Sequence, residues 1–357
     1  MTGQPKEDLA AAVISVVLPV FNAEPYVGKA IRSILDQTFR HFELIVINDG
    51  STDGTLKILE QFSALDRRVV LISRENKGLV KTLNEGIGIA RGKWIARMDA
   101  DDIARPNRFE RQMRCLENTG ADICGSWMQL FGAADRHIVK HPQTDAAIKM
   151  ELLFGAPFAH PTVIMRTELV RQLGYDKDWE GCEDYDLWER AARAKWKMAN
   201  VPEVLLSYRQ HGTQISTIVS SCQQSLTQMI RHRYWKFVFD SMKLENKWVD
   251  EVLKLREPLV PETNMDIVDM AFTALLQSSR GEAQATIFDH ITRLYFRAAA
   301  ICPNVVTRWA KLNRNYGVGP AVATRIQLWA LSVFCVQSNS KAFQRLKRLY
   351  LNLTRST

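Results

Sequence analysis

The chain has 357 residues, 46% of them hydrophobic and 24% charged, an ordinary globular balance with room for one large domain and a smaller one. No run reaches the roughly 18 uninterrupted apolar residues of a membrane span, since the best candidate, 326–336, is broken by Gln327 and Ser332. The net charge of +8 is uneven: residues 1–215 hold 28 basic against 29 acidic residues, residues 216–357 hold 19 against 10, and from His290 to the end there are 11 basic residues and no acidic one.

After a tail over 1–12, residues 13–20 (VISVVLPV) form a β-branched apolar run without alternation, the pattern of a strand buried on both faces. A helix is expected over 24–36, with Val27, Ile31, Ile34 and Leu35 on one face. A second buried strand follows at 42–47 and ends in Asn48-Asp49-Gly50-Ser51, whose Asp and Ser can cap the next helix at 55–65. A strand at 68–72, a loop at 74–78, a small-residue helix at 79–91 and a strand at 94–98 complete an alternation that predicts a parallel sheet with right-handed crossovers. The pattern then loosens. It gives a helix at 109–118, a strand at 121–131, a helical stretch near 145–154, a strand at 162–165, a helix at 183–195 and a strand at 204–208. Beyond 216 helix-period positions dominate, as at 225–238, 248–255 and 342–353. The expected domains are therefore 13–215 and a basic helical region, 216–357.

Ligands of an open parallel sheet bind beyond the carboxyl ends of its strands. Polar groups fall at four such ends: Asn22, Asp49, Asn76 and the cluster Asp99-Ala-Asp101-Asp102. Three carboxylates within four residues repel one another unless a cation compensates, and hard divalent cations take oxygen ligands and bridge to phosphates. The first strand runs into Pro19-Val20-Phe21-Asn22 without a glycine fingerprint, and no Walker motif is present, which argues against a dinucleotide-binding dehydrogenase and a P-loop NTPase.

The segments PVFNAEPYV, VINDGSTDGT, ENKGLVKTLNEGI, ARGKWIARMDADD and GCEDYDLWERA, in that order, resemble the inverting glycosyltransferases of family 2 with the GT-A fold, a Rossmann-like, mostly parallel sheet flanked by helices. The resemblance covers 13–216 and implies a nucleotide-sugar donor, typically a UDP-sugar, and Mn²⁺ or Mg²⁺. It implies that Pro19, Phe21 and Glu24 wall the base pocket and that Asp49 accepts a hydrogen bond from the base. Asn76 would approach the nucleotide and Asp99 the base or ribose. Asp101 matches the metal-binding acid of the DxD motif, and His211 a histidine that completes the metal or diphosphate site. Glu183-Asp184 match the "ED" motif with Asp184 as general base, and His160 lies in a segment near the acceptor. Many members carry an arginine where this chain has Leu83, which leaves Lys77, Lys81 or Arg209 for the diphosphate. Arg105 and Arg108 could also reach it or serve the structure.

The chemistry asks for these parts independently. A cation stabilises charge on a departing diphosphate, and a carboxylate must take the proton of a poorly nucleophilic hydroxyl. Asp184 begins an amphipathic helix whose dipole favours its ionised form. Taken singly, each of these groups is also explained as a helix cap or a surface loop residue. Among competing functions, a sugar nucleotidyltransferase would need a Gly- and Arg-rich loop after the first strand, which is absent. A non-catalytic scaffold of the same fold would not need Asp101, Asp184 and His211. Six cysteines without a CxxC suggest neither zinc nor a disulfide framework. The N-terminus lacks a secretory signal, so a cytoplasmic enzyme is expected. In the basic region, 341–353 places Phe343, Leu346, Leu349, Tyr350 and Leu353 at helical spacing among Lys341, Arg345, Lys347 and Arg348. Residues 290–357 are accordingly a candidate contact for an anionic membrane carrying a lipid-linked or glycan acceptor. Nucleic acid is not expected.

Overall fold

The computed structural model of the protein describes residues 12–132, 137–210, 221–256, 263–302, 304–317 and 321–333. The alternating half contains β1 (Ile14–Val20), α1 (Val27–Leu35), β2 (Phe42–Asp49), α2 (Thr55–Leu65), β3 (Val69–Arg74), α3 (Leu79–Ile89) and β4 (Trp94–Arg97). Then come β5 (Ile103–Ala104), α4 (Arg108–Thr119), β6 (Ile123–Gly132), β7 (Ile138–Val139), α5 (Asp145–Glu151), β8 (Ile164–Arg166), α6 (Thr167–Leu173), α7 (Glu183–Arg193) and β9 (Met198–Gln210). Helices follow: α8 (Ser221–Ser241), α9 (Lys247–Lys254), α10 (Met265–Ser278), α11 (Gly281–Ala298), α12 (Val305–Tyr316) and α13 (Ala321–Val333).

The sheet order is β3-β2-β1-β4-β8-β6-β9-β5, with β7 paired to β6. β3, β2, β1 and β4 are mutually parallel, as the alternation predicts. β1 and β2 are buried almost throughout because helices cover both faces of the sheet. Val27, Ala30, Ile31 and Ile34 of α1 are sealed in the core, as are Val80, Leu83 and Ile87 of α3. Past β4 the sheet becomes mixed: β8 runs antiparallel to both β4 and β6, and β9 is parallel to β6 and antiparallel to β5.

Two boundaries differ from the sequence expectation for local reasons. The first helix starts at Val27 rather than Glu24, because Glu24 serves the neighbouring loop, accepting the Gly54 N–H at 2.8 Å while its own N–H donates to Asp53. The strand expected at 204–208 spans Met198–Gln210. Pro202 and Glu203 sit where its register against β6 jumps from Ser126↔Val201 to Trp127↔Val204. A bulge accommodates a proline that lacks a ladder donor, so a breaker in the sequence is only a kink in the strand.

The chain divides into two compact units, 1–230 and 231–357. Among its described residues the second unit is helical, cored by Val249, Phe272, Leu275, Ile287, Ile291, Tyr295, Trp309 and Leu312. The helix expected at 342–353 lies outside the described residues.

At the amino ends of β1 and β2, away from the acidic cluster, a buried polar pin ties the two strands to the Arg91-Gly92 loop that precedes β4. The Ser15 hydroxyl donates to Glu43 at 2.6 Å, the Arg91 N–H donates to the same carboxylate oxygen at 2.8 Å, and the Gly92 N–H donates to the Ser15 oxygen at 2.8 Å. Burial alone would raise Glu43. The Ser15 hydroxyl and Arg91 outweigh it and hold the carboxyl below its usual range. Ser15→Ala leaves this buried carboxylate a donor short and is expected to cost about 1–3 kcal/mol, read as a lower urea midpoint at unchanged slope. An unchanged midpoint would show that the pin contributes nothing.

Candidate functional site

The loops that leave β1 and β2 are laced together. Asn22, with φ +45°, accepts the Thr52 N–H at 2.8 Å and donates its own N–H to Ser51 at 3.0 Å. A Cβ on Gly54 would lie 2.3 Å from the Glu24 carboxylate, so a side chain there would displace the carboxylate that ties the two loops together. Pro19 lies opposite Ile47 in the last residues of β1, and Phe21 just beyond the strand leaves its ring 52% exposed.

Asp49, at the end of β2, organises the loop that follows β3. Its Oδ1 accepts the Lys77 N–H at 2.7 Å, its Oδ2 accepts the Gly78 N–H at 3.0 Å, and Arg74 forms an ion pair with it. Asn76 donates its side-chain amide to the Asp49 carbonyl at 2.8 Å. Gly50 has φ +76°, and a Cβ there would meet the Asn76 nitrogen at 2.6 Å. The expected base-binding aspartate is thus also the anchor of the expected nucleotide loop.

β4 delivers the acidic cluster. One carboxylate oxygen from each of Asp99, Asp101 and Asp102 lies within 4.8 Å of the others. Asp102 is fully buried; its Oδ1 accepts the Arg209 N–H at 2.8 Å, while its Oδ2 has no hydrogen-bond partner among the described residues. Burial first, then Asp99 and Asp101, push Asp102 well above the usual carboxylate range. Asp99 is raised by burial and pulled back by its ion pair with Arg97. Arg97 is itself buried; burial opposes its charge, and Asp99 outweighs it and raises the guanidinium. Behind it lies the fully buried Arg108, whose Nη2 donates to the Arg97 carbonyl at 2.9 Å. Two buried guanidiniums therefore face three carboxylates. An all-oxygen donor set with a buried oxygen left unsatisfied fits a hard divalent cation.

The second group of acids starts α7. Glu183 accepts the Gly181 N–H at 2.7 Å and Asp184 accepts the Tyr185 N–H at 2.7 Å, while the helix dipole favours charge at both. Burial first, then Asp184, raises Glu183 to about 7. Asp184 is raised by burial and by Asp99, and lowered by the Tyr185 N–H and Arg97. His160 Nε2 lies 2.7 Å from the Tyr175 hydroxyl, and its ring packs against Tyr175 and Trp188. Burial first, then Arg97, lowers His160 far enough to keep it neutral. Asn84 clasps the Tyr175 backbone on both sides, donating to its carbonyl at 2.8 Å and accepting its N–H at 2.9 Å.

Arg97 acts electrostatically on Asp99, Asp102, Glu183, Asp184, His160 and Tyr175, so the fold gathers the two acidic motifs around one cation. Of the other residues singled out in the sequence, His211 lies outside the described residues. His160 is buried in a one-turn 3₁₀ segment, His160–Thr162. Arg108 is sealed against backbone, and Arg105 is exposed and donates to Gln129. Arg209 has its guanidinium 4.7 Å from the Tyr26 ring centre and 4.5 Å from that of Phe131, and its Nε donates to the Asp101 carbonyl at 2.8 Å. Leu83 is buried on the core face of α3, where a side chain points away from solvent. Arg97, Arg74 and Tyr175 were not singled out in the sequence. A lone arginine inside the buried run Trp94–Arg97 was the available signal, because an unpaired buried charge is too costly to be incidental.

Residues 15–174 match the model of glycosyl transferase family 2. An uncharacterized glycosyltransferase of Haemophilus influenzae is 35% identical over 266 residues, 71% of this chain and 82% of that protein. The O-antigen biosynthesis glycosyltransferase WbnJ of Escherichia coli is 34% identical over 207 residues, 56% of this chain and 80% of that protein. Among solved structures, S. aureus TarS 1–349 in complex with UDP-GlcNAc superposes with a TM-score of 0.53 at 16% identity, covering 89% of this chain and 90% of that one. The mannosyltransferase PcManGT from Pyrobaculum calidifontis, in complex with GDP-Man and Mn²⁺, gives 0.52 at 15% identity, covering 91% and 88%. The fold is the GT-A fold of these proteins.

The titration of Glu183 gives a stability prediction. Its carboxyl rises from 4.5 to about 7 on folding, so the folded chain binds the extra proton and stability falls as pH climbs through that window. Glu183→Gln should flatten this dependence: its Tm, in metal-free buffer, should gain on the wild type between about pH 5 and pH 8. Parallel Tm–pH curves for the two proteins would contradict it.

Proposed function

The chain belongs to glycosyl transferase family 2, and from that premise we propose that it moves a sugar from a nucleotide diphosphate, a UDP-sugar, to an acceptor hydroxyl with inversion at the anomeric carbon. The observation that carries this reading is the meeting of the Asp99-Ala-Asp101-Asp102 cluster with the Glu183-Asp184 pair around Arg97. Pro19, Phe21 and Glu24 wall the base, Asp49 and the loop bearing Asn76 receive it, and Asp99 holds the ribose side. Asp101 would hold Mn²⁺ or Mg²⁺, with His211 joining it as the resemblance implies, while Arg209 and Arg97 fix Asp102 and Asp99. When bound, the cation neutralises charge on the diphosphate. Asp184 takes the proton of the acceptor hydroxyl as the oxygen attacks from the face opposite the nucleotide, which inverts the centre. Glu183, raised to about 7 by burial and by Asp184, is only partly ionised near neutral pH, which leaves Asp184 as the first candidate base.

The donor class is supported by TarS, solved with UDP and with UDP-GlcNAc, and the cation by PcManGT, solved with Mn²⁺. The name of WbnJ supports an acceptor in O-antigen or a related polysaccharide. Among the described residues no helix is long and apolar enough to cross a membrane. We place the enzyme on the cytoplasmic side, drawn to anionic lipid by residues 290–357.

Calorimetry with UDP should show binding that falls sharply in EDTA or in Asp101→Ala; equal affinity with and without metal would remove Asp101 from the role. Asp184→Asn should keep nucleotide affinity and lose roughly 10²-fold or more in transfer rate, the usual scale of general base catalysis. Retained turnover would move the role to Glu183. An α-linked donor should yield a β-linked product by NMR.

A further inference from the structure

In the second unit, α13 is apolar on two opposite sides. Leu328 and Leu331 are buried, at 0% and 3% exposure, on the side that faces its own helices. On the other side Val322, Ile326, Trp329 and Val333 are 71%, 60%, 55% and 54% exposed. At 3.6 residues per turn these four positions fall within about 60° of one another, one continuous stripe along the helix. Scattered exposed apolar residues are ordinary, but a stripe of four large ones with a central tryptophan marks a surface that something covers.

Charge decides among the occupants. The one charged residue of α13 is Arg325, which is exposed beside the stripe. α12, which packs on α13, exposes Lys311 and Arg314 and has no acidic residue. From His290 to the end of the chain none occurs at all. A second copy of this face would bring like charges together, which disfavours self-association through the stripe. An anionic bilayer complements both features: its acyl boundary takes the apolar stripe, tryptophan at the level of the headgroups, and its phosphates take the cations.

We propose that α13 lies in the plane of an anionic lipid surface, with Val322, Ile326, Trp329 and Val333 immersed and Arg325 at the lipid phosphates. This deepens the reading that residues 290–357 meet a membrane and assigns the apolar contact to a specific helix. It is independent of the nucleotide site.

The test is co-sedimentation of the full chain with phosphatidylglycerol vesicles and with phosphatidylcholine vesicles, at low and high salt. The wild type should bind the anionic vesicles, lose binding in high salt and ignore the neutral ones. Ile326→Ser/Trp329→Ser should lower the partition coefficient about tenfold or more with an unchanged circular dichroism spectrum and unchanged UDP affinity. Should that variant fail to fold, Trp329→Phe decides. The wild type minus Trp329→Phe emission should shift to the blue when anionic vesicles are added. Equal partitioning of wild type and double variant, no shift in the difference emission, or equal binding to neutral vesicles would overturn the proposal. So would a dimer in light scattering that the double variant dissolves and vesicles do not displace. UDP binding is scored separately, so its loss would sink the glycosyltransferase reading and leave this one standing.

Discussion

A guanidinium sealed inside a parallel sheet has to be matched by carboxylates, and Arg97 is in that position at the end of β4. Its ion pair with Asp99 works against the burial that disfavours charge on both groups. The same charge works against the burial that raises Asp184 and Glu183, and adds to the burial that lowers His160. Remove that guanidinium and three aspartates within 4.8 Å would face each other, backed by an Arg108 that burial lowers to about 9. The proposed metal site and the proposed base are thus parts of one electrostatic unit.

Around this unit the backbone does most of the holding. Asp49 satisfies two amides of the 77–78 loop, and Asn22 and Glu24 satisfy amides of the 52–54 loop. Such contacts fix loops that would otherwise carry the entropy of free segments. Glycine at position 50 is required because its φ is +76° and the Asn76 backbone approaches closer than a Cβ permits. Arg209 adds a tie from β9, with its N–H on Asp102, its Nε on the Asp101 carbonyl and its guanidinium between two rings. An arginine that looked available for a diphosphate is committed to holding the acids in place.

Much of this was legible in the sequence wherever the information is local. β1 and β2 are buried on both faces, so their apolar runs need no partner to be read. The strand-helix alternation determined the parallel half of the sheet, and the spacing of Asp99, Asp101 and Asp102 put three carboxylates at one strand end. Charge composition by itself distinguished a balanced stretch, 1–215, from a basic one, 216–357.

Only the tertiary structure decided the rest. The insertion of β8 between β4 and β6 and the extension of β9 through Pro202 depend on strands far apart in the chain, and no local period reports a distant partner. The meeting of Arg97, Tyr175, His160 and Asp184 is of the same kind. Each residue alone reads as a core polar group, a packed ring or a helix cap. Long-range packing brings them to one place, where low dielectric makes their charges interdependent.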